Sequence, residues 1–502
     1  MADVLLTHSY HLPYDTKQSQ KMQPYLPLGT LYAATALREQ GFSTEVFDVM
    51  LEAPEPGFLA ALRRSEAKIV VVYEDDFNFL SKMCLTRMRE VAWSMARAAK
   101  AAGAIALVHG SDATDNPGLF LENGFDFVLC GEAENLLVDL CRALLDCAEV
   151  PLWDGLVRKE RSGRLLYGSQ KLVRNPDWSR LALPARDLVD LEPYRVAWTG
   201  AHGYFSSNMV ASRGCPFHCN WCAKPISSNR FQLRAASAVA EEMAMLKLAG
   251  VEHIWFGDDV FALNHHWVEQ FANETKTRNA ALPYKIQSRA DLMREDTVWN
   301  LKASGCTEVW MGVESGSQAI LDAMDKGINI GQIEAARERL RVAGIRACFF
   351  LQFGYPGETW TELQQTISLV RRLRPDDIGI SVSYPLPGTL FYERVQSQLG
   401  AKRNWTDSND LCVMFNAAYT TDFYRAVREA LHAEVNSWAE SNADSVRPDM
   451  SALWKIVDEM EPGCRASNAF RFSPDIDITA SPMFVPVESL ISSSGSSNET
   501  GP

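Results

Sequence analysis

The sequence of 502 residues has no uninterrupted apolar run long enough to span a bilayer, and its first residues lack the basic-then-apolar pattern of an export signal. Basic residues are outnumbered, since 49 Lys and Arg stand against 63 Asp and Glu and give a net charge of −14. This balance argues against broad electrostatic binding to nucleic acid or to anionic membranes. We expect a cytoplasmic protein without a membrane span and without a nucleic-acid partner.

Cysteine is too sparse for a disulfide scaffold, with eleven residues in the whole chain. Most of them are scattered among apolar neighbours, where a free cysteine behaves as a small buried hydrophobe. Three are grouped, because Cys215, Cys219 and Cys222 form a Cys-x3-Cys-x2-Cys motif on a loop punctuated by glycine and proline. Closed zinc sites take four ligands and complete Fe–S sites usually take four cysteines, so three thiolates leave one position open. A zinc knuckle that also uses His218, and buried thiols without a metal, are the alternatives.

The first 150 residues alternate short apolar runs with helical patterns, which predicts an α/β fold with a Rossmann-like, doubly wound parallel sheet. The predicted strands are residues 4–7, 44–47, 68–73, 104–109 and 127–130. The predicted helices are residues 28–38, 80–102 and 136–145. In open sheets of this kind, ligands bind in the loops that leave the carboxyl ends of the strands.

The rest of the chain is predicted to hold a second α/β unit. Residues 151–200 lack a clear period and are predicted to be an ordered connector. Residues 201–399 alternate again, which predicts a partial (β/α)6 barrel with its chemistry at the carboxyl ends of the strands. The predicted barrel strands are residues 209–211, 253–256, 284–287, 308–312, 347–353 and 378–383. Residues 400–485 are predicted to be mainly helical, and the small, polar residues 486–502 to be a disordered tail.

Polar or glycine-rich groups follow the predicted barrel strands. Gly257, Asp258 and Asp259 follow the second strand, where capping of the next helix would need only one of the two carboxylates. Gln287 and Arg289 close the third strand, and Arg289 is equally suited to pairing with a nearby aspartate.

The next two strand ends carry further candidates. Glu314 and Ser315 close the fourth strand, and Gly354 follows the fifth. Since buried carboxylates are rare unless they are paired, Glu314 is more easily explained as a ligand contact than as a core residue.

The cysteine motif, with Trp221 before its last cysteine and these strand-end groups in this order, resembles the radical S-adenosylmethionine (SAM) superfamily. The resemblance implies a [4Fe–4S] cluster held by Cys215, Cys219 and Cys222, with its open iron chelated by SAM. The residues that it implies to be SAM or cluster contacts are Trp221, Gly257, Asp258, Asp259, Gln287, Arg289, Glu314, Ser315 and Gly354.

Residues 1–150, in front of such a core, resemble the cobalamin-binding domain of cobalamin-dependent radical SAM enzymes. The matching pieces are residues 27–32, 108–110, 123–128 and 131–134. The resemblance implies cobalamin contacts at Gly29, Asp76, Gly110 and Glu132.

Two features of this domain leave alternatives open. The Asp-x-His-x-x-Gly signature, whose histidine ligates cobalt in many cobalamin proteins, is absent. Members of this subfamily often lack it, so both a cobalamin domain and a Rossmann-like module without a corrin are consistent with the sequence. Residues 74–79 carry adjacent carboxylates and two phenylalanines, which suit either a loop facing corrin or substrate, or a capped helix beside a packed interface.

The resemblance implies that SAM is cleaved to a 5′-deoxyadenosyl radical, which takes hydrogen from an unactivated carbon of a small-molecule substrate. With cobalamin the outcome is methylation, or oxidation and cyclisation as in the similar anaerobic magnesium-protoporphyrin ester cyclase branch. The electron would come from a reducing donor such as flavodoxin or ferredoxin. A radical SAM enzyme without cobalamin, for example a methylthiotransferase, and a non-catalytic metal-binding module are the alternatives. The candidate pocket aromatics, most of which we expect to be core, are Trp310, Tyr355, Tyr384 and Phe391.

Overall fold

The structure is a computed structural model that describes residues 1–77, 85–168, 183–224, 226–400, 411–439, 449–467 and 469. Two main sheets organise the chain, a mixed sheet of seven strands and a parallel sheet of six. Among the described residues, no helix combines the length and the apolar character that a membrane crossing requires.

The first sheet has the strand order β2-β1-β3-β4-β5-β6-β7. Its strands are β1 (Val4–Thr7), β2 (Thr44–Phe47), β3 (Ile69–Tyr73), β4 (Ile105–His109), β5 (Phe127–Leu129), β6 (Leu156–Lys159) and β7 (Leu165–Tyr167). The first five are parallel, and β6 and β7 join in antiparallel pairing. The helices are α1 (Thr16–Lys21), α2 (Leu28–Glu39), α3 (Pro54–Ser65), α4 (Leu85–Ala101), α5 (Ser111–Asp115), α6 (Pro117–Glu122) and α7 (Glu134–Leu145).

Apolar runs in the sequence explain why the first sheet is buried between two layers of helices. Strand β3 reads Ile-Val-Val-Val-Tyr and is completely buried, as expected of a parallel strand with helices on both faces. Two separate hydrophobic clusters lie on the two sides of the sheet, one including α3 and α4 and the other including α2 and α7. The strands therefore end together, and their carboxyl ends form one rim.

The second sheet has the order β15-β14-β13-β12-β11-β8 and is parallel throughout. Its strands are β8 (Ser206–Met209), β11 (His253–Phe256), β12 (Tyr284–Ser288), β13 (Cys306–Glu314), β14 (Arg346–Phe353) and β15 (Asp377–Val382). A short hairpin of β9 (Ser212–Arg213) and β10 (Gln232–Leu233) follows β8. The helices are α8 (Glu192–His202), α9 (Ala236–Leu248), α10 (His265–Thr277), α11 (Glu295–Ser304), α12 (Gln318–Ala323), α13 (Ile330–Val342), α14 (Trp360–Leu373), α15 (Leu390–Val395), α16 (Thr421–Ala439) and α17 (Met450–Cys464).

The α/β class, both sheets and the helical C-terminal segment are confirmed. Two details differ from the sequence-based expectation. The predicted connector of residues 151–200 contains β6 and β7, which extend the first sheet, and also α8. The first barrel strand lies at Ser206–Met209 and not at residues 209–211. The predicted disordered tail of residues 486–502 lies outside the described residues.

The shifted strand has a physical reason. Ser206, Ser207 and Asn208 look like a loop in the sequence, yet each is nearly fully buried. Ser206 Oγ is bonded to the ring of His253 at 2.9 Å, and Asn208 donates to the carbonyl of Leu26 at 2.8 Å. Buried polar groups are tolerated in a strand when they have such partners.

Candidate active site

The three cysteines lie on one loop at the mouth of the barrel. We call residues 214–224, which follow the β9 strand, the cysteine loop. Cys215, Cys219 and Cys222 are free thiols of intermediate exposure. Burial, more than the neighbouring thiols, raises the pKa of Cys215 and raises that of Cys222 to about 12. Within the described ranges, no three His, Cys, Asp or Glu side chains are grouped as a finished metal-ligand set.

The middle of the cysteine loop is anchored to the barrel through Asn220. Its side-chain amide donates to the carbonyl of Ala323 at 2.7 Å and to the carboxylate of Asp325 at 3.0 Å. Tyr355, beyond the fifth strand, donates its hydroxyl to the Asn220 amide oxygen at 2.6 Å. The residue between Cys219 and Trp221 is thus fixed by groups from two different strand ends.

His218 is not placed as a fourth zinc ligand. It is exposed, and its Nδ1 is bonded to the amide nitrogen of Asn229 at 2.9 Å. The closed zinc site that the sequence left open therefore has no support from the position of this ring.

Glu314 has a buried partner that the sequence did not reveal. Lys326 donates to Glu314 Oε1 at 2.6 Å, and both side chains are less than a tenth exposed. Burial lowers the pKa of Lys326, but the charge of Glu314, followed by that of Cys219, outweighs burial, so the pKa is raised. Because Glu314 is paired with Lys326, its burial alone is no longer an argument for a ligand contact, and its role as a SAM contact stays a prediction.

The same pair reaches the cysteine loop and carries backbone strain. The Lys326 ammonium lies 5.9 Å from the ring centroid of Trp221, whose indole N–H is buried without a hydrogen-bond acceptor in the described structure. Glu314 has a φ of 61° at a β-bulge. Such left-handed positions cost about 1–3 kcal/mol for residues other than glycine and cluster at functional sites.

The two carboxylates after the second strand have different environments. Asp258 is 1% exposed, and it accepts hydrogen bonds from the Ala211 N–H and from the Ser212 hydroxyl at 2.5 Å. Burial raises the pKa of Asp258 to about 7. Asp259 is exposed and lines a cleft together with Gly257. Asp258 therefore holds the backbone that leads into the cysteine loop, and Asp259 is the carboxylate free to meet a ligand.

Arg289 at the third strand end packs directly on the cysteine loop. Its guanidinium carbon lies 3.6 Å from the ring centroid of Phe217, and it forms a bidentate pair with Asp291 at 3.0 and 3.2 Å. The structural pairing that the sequence left open is present. The Gln287 side chain is half-buried at the same strand end.

The residues at the carboxyl ends of the fourth and fifth barrel strands are buried and closely packed. Ser315 is completely buried and is bonded to the hydroxyl of Thr366 at 3.2 Å. Gly354 has a φ of 76°, and a Cβ there would lie 3.2 Å from the ring of Tyr424 on α16. The Gly354 N–H donates to Glu358 at 2.5 Å, and burial raises the pKa of Glu358 to about 8.

In the first domain, the predicted cobalamin-contact glycines pack against the protein's own loop. A Cβ on Gly29 would lie 2.8 Å from Asp76 Oδ1, and one on Gly110 would lie 2.9 Å from the side chain of Glu74. Glu132 is 2% exposed. These glycines thus permit close approach of α2 and the β4 end to residues 74–76.

His109 is completely buried and stacks on Tyr73, with 3.9 Å between ring centroids. Its Nε2 is bonded to the Gly131 carbonyl at 2.8 Å, and burial lowers its pKa.

Asp76 belongs to a buried charged cluster that joins the two sheets. Arg213, two residues before Cys215, donates to Glu134 at 2.5 Å and lies 3.6 Å from Asp76. Its guanidinium also lies over the ring of Phe77 at 4.9 Å. All three charged side chains are at most 3% exposed. Asp76 thus takes part in an ion pair, and residues 78–84, on which the alternative of a capped helix depends, lie outside the described residues.

A cleft of about 290 Å³, part of it open to solvent, lies between the first domain and the cysteine loop. Its lining is formed by Asp76, Phe77, Ser212, Arg213, Gly214, Ile226, Ser227, Gly257 and Asp259. The structure therefore brings predicted residues of both domains, Asp76, Gly257 and Asp259, to one place, which we call the interdomain cleft.

Sequence reasoning missed Arg213, Asn220 and Lys326. The first two have a signal in hindsight, because they lie within or next to the cysteine motif. Lys326 lies on a loop after α12 without any pattern around it, and only the fold brings it to Glu314.

Comparison with known proteins identifies the class. Residues 209–370 match the radical SAM superfamily. Over 387 residues the chain is 27% identical to an uncharacterized methyltransferase of Pyrococcus horikoshii, covering 76% of this chain and 80% of that protein. Over 186 residues it is 26% identical to the anaerobic magnesium-protoporphyrin IX monomethyl ester cyclase of Rubrivivax gelatinosus, covering 36% of this chain and 34% of that protein.

Comparison of folds extends the similarity to both domains of the chain. The radical SAM methyltransferase TsrM of Kitasatospora setae, solved with cobalamin and a [4Fe–4S] cluster bound, superposes with a TM-score of 0.65 at 19% identity. The match covers 80% of this chain and 79% of that one. Residues 209–370 therefore form a radical SAM domain, and the chain shares its overall fold with that cobalamin-bound methyltransferase. The resemblance drawn from the sequence is confirmed.

The cysteine loop fits the cluster that a radical SAM domain implies. It supplies three soft thiolate donors, the number that leaves one iron open. The thiols are near enough for Cys215 and Cys219 each to affect the pKa of Cys222.

Proposed function

We propose that this protein is a cobalamin-dependent radical SAM methyltransferase that methylates an unactivated carbon of a small molecule. The observation that carries the proposal is the position of the cysteine loop, which lies between the barrel mouth and the strand ends of the first domain. When bound, the cluster with SAM supplies a 5′-deoxyadenosyl radical and cobalamin supplies a transferable methyl group. Of the three relatives described above, the two that match three quarters or more of this chain are methyltransferases by name.

The residues of the barrel mouth would hold the cluster and SAM. Cys215, Cys219 and Cys222 would ligate iron, and Asp259 offers an exposed carboxylate to the SAM ammonium. Asp258 and Arg289 would act as positioning residues, because Asp258 holds Ser212 just before the cysteine loop and Arg289 packs on Phe217 within it.

The interdomain cleft supports cobalamin on the side of the first domain. Asp76 Oδ1 and Glu134 Oε2 are buried and have no hydrogen-bond donor in the described structure. Buried acceptors of this kind are costly until a donor reaches them, and the amide groups around a corrin are such donors. If cobalamin binds here, Asp76 and Glu134 would accept hydrogen bonds from its amide groups.

Three alternatives to methyl transfer can be distinguished by the reaction product and by the metal content of the protein. Oxidation or cyclisation is the second outcome, supported by the match to the cyclase over about a third of each chain. A methylthiotransferase needs an additional cluster, and Cys130 and Cys141 of the first domain are buried thiols with raised pKa values. A non-catalytic metal-binding module has no use for the radical SAM match over residues 209–370.

The test is anaerobic reconstitution with iron, sulfide and hydroxocobalamin, followed by desalting, a UV–visible spectrum and metal analysis. We expect a [4Fe–4S] absorption together with retained corrin bands, and 5′-deoxyadenosine when SAM and dithionite are added. The variant with all three of Cys215, Cys219 and Cys222 replaced by Ala should produce none, while the control Cys412→Ala should match the wild type. A cluster without corrin would eliminate methyl transfer through cobalt but keep the radical chemistry.

A further inference from the structure

Two large aromatic side chains on the inward face of β13 and β14 lie outside the hydrophobic core. Along β13 and β14, alternate side chains such as Val309, Met311 and Phe349 are fully buried in the core that contacts the helices. Trp310 and Phe350 occupy the opposite face, are half-buried, and lie outside that core. Because successive strand residues point to opposite faces, this second set lines the interior.

Trp310 and Phe350 form a ready-made stacking surface. Their ring centroids are 4.7 Å apart at an interplanar angle of 28°. The indole N–H of Trp310 donates to Glu308 at 2.7 Å, which fixes the orientation of the ring. A Cβ on the neighbouring Gly379 would lie 3.1 Å from the Phe350 ring, so the glycine lets both rings pack closely against β15. The sequence-based expectation that most pocket aromatics are core holds for Tyr355, Tyr384 and Phe391 but not for Trp310.

A cation without an anionic partner lies deeper in the same interior. Lys285 on β12 is opposite Trp255 on one side and Glu308 on the other. Its ammonium lies 5.7 Å from the ring centroid of Tyr25 and 5.9 Å from that of Trp255. Within the described residues it has no hydrogen-bond acceptor and no ion pair.

The nearest carboxylate does not neutralise Lys285. Glu308 accepts the Trp310 indole N–H and lies 3.5 Å from the guanidinium of Arg346. Burial lowers the pKa of Lys285 despite the charge of Glu308. A half-buried ammonium held only by aromatic faces costs free energy that an anion would recover.

The positions of these groups along the strands define how long a bound ligand would be. Trp310 pairs in register with Gln287, two residues nearer the barrel mouth than Lys285, which corresponds to about 7 Å. Arg289, at the mouth, is four residues from Lys285, or about 13 Å. An anionic group at Lys285 would therefore place a planar body against Trp310 and a reacting carbon near the cysteine loop.

We propose that the barrel interior binds a planar, unsaturated substrate with an anionic group, Lys285 holding the anion and Trp310 with Phe350 stacking on the planar body. This inference rests on the proposed function, since it names the substrate class of the same enzyme. It predicts that the reacting carbon lies on the order of 10 Å from the anionic group.

The test compares two probes that differ in charge alone, indole-3-acetate and indole-3-acetamide. Binding of each to the full-length, cluster-loaded protein is measured by isothermal titration calorimetry at pH 7. A third probe, cyclohexylacetate, keeps the charge but lacks the planar body. We expect the acetate to bind at least tenfold more tightly than the amide and than cyclohexylacetate.

Variants separate the contribution of the Lys285 charge from that of stacking on Trp310. Lys285→Gln should abolish the preference for acetate over amide, and Lys285→Arg should restore part of it. Trp310→Leu should weaken both indole probes and leave cyclohexylacetate unchanged. The control Lys276→Gln removes an exposed lysine on α10 and should behave as the wild type.

Equal affinity of the wild type for acetate and amide, or no binding of any probe, would overturn the inference. If Lys285→Gln does not fold, the comparison of acetate and amide binding to the wild type and to Lys285→Arg still tests the inference. The yield of 5′-deoxyadenosine from the same preparation tests the proposed function separately. Active SAM cleavage without charge-selective binding would refute only the substrate class.

Discussion

Arg213 and Glu134 come from different domains and form a buried hydrogen bond of 2.5 Å. Arg213 ends the strand that leads into the cysteine loop, and Glu134 begins α7 of the first domain. Asp76 completes the cluster at 3.6 Å, so one guanidinium faces two carboxylates. This contact places the cysteine loop in a defined position relative to the rim of the first sheet.

The first prediction concerns this cluster. Arg213→Met should lower the free energy of unfolding by about 3–5 kcal/mol, because Glu134 and Asp76 would be left buried and uncompensated. Urea unfolding measures the change, and iron content after reconstitution should fall with it. The control is Arg38→Met, whose pair with Asp187 is exposed and should cost at most about 1 kcal/mol. Equal losses in both variants would show that the cluster does not join the domains.

Much of the architecture can be predicted from the sequence, since β1, β2 and β11 lie where their apolar runs predict them. These strands depend on local patterns, and the cysteine motif is likewise local. The partners of the site depend on contacts between distant residues, because Arg213 and Glu134 are 79 positions apart. The polar strand β8 was misplaced for the same reason, since its acceptor Leu26 belongs to another domain.

The second prediction separates two roles of Glu314. Glu314→Gln should destabilise the fold by about 3–5 kcal/mol, because Lys326 keeps its buried charge without a counterion. The double variant Glu314→Gln with Lys326→Met should recover much of that loss. SAM affinity of the cluster-loaded double variant, measured by equilibrium dialysis, should remain at least tenfold weaker than in the wild type. Wild-type affinity in the double variant would make the pair purely structural.

The third prediction concerns close packing at Gly29. Gly29→Ala should destabilise the protein by about 1–3 kcal/mol, since the new methyl group would meet Asp76 at 2.8 Å and the backbone of Glu74 at 3.0 Å. The matched control is Gly200→Ala in α8, where nothing lies within 4 Å of the added carbon. That substitution should stabilise the helix by up to about 1 kcal/mol. Chemical denaturation of the two variants should therefore shift in opposite directions.

The fourth prediction is a pH dependence that arises from Glu358. Burial raises its pKa from the ordinary 4.5 to about 8 in the folded protein, and one carboxyl oxygen has no hydrogen-bond partner in the described structure. Between these two values the folded protein holds a proton that the unfolded chain releases. The contribution of Glu358 to stability is therefore fully present below pH 4.5 and is lost as the pH rises toward 8.

Glu358→Gln keeps a neutral acceptor for the Gly354 N–H and removes this titration. We expect the melting temperature of the wild type to fall between pH 5 and pH 9 more steeply than that of the variant, with the variant the more stable of the two at pH 9. Scanning fluorimetry across this range measures the difference. The control Glu338→Gln changes an exposed carboxylate paired with Arg341 and should leave the wild-type slope intact. Parallel curves for the wild type and Glu358→Gln would show that this carboxyl group is ionised in the folded protein at neutral pH. Glu358 is only 1% exposed and lies near Tyr424, and this burial argues against ionisation.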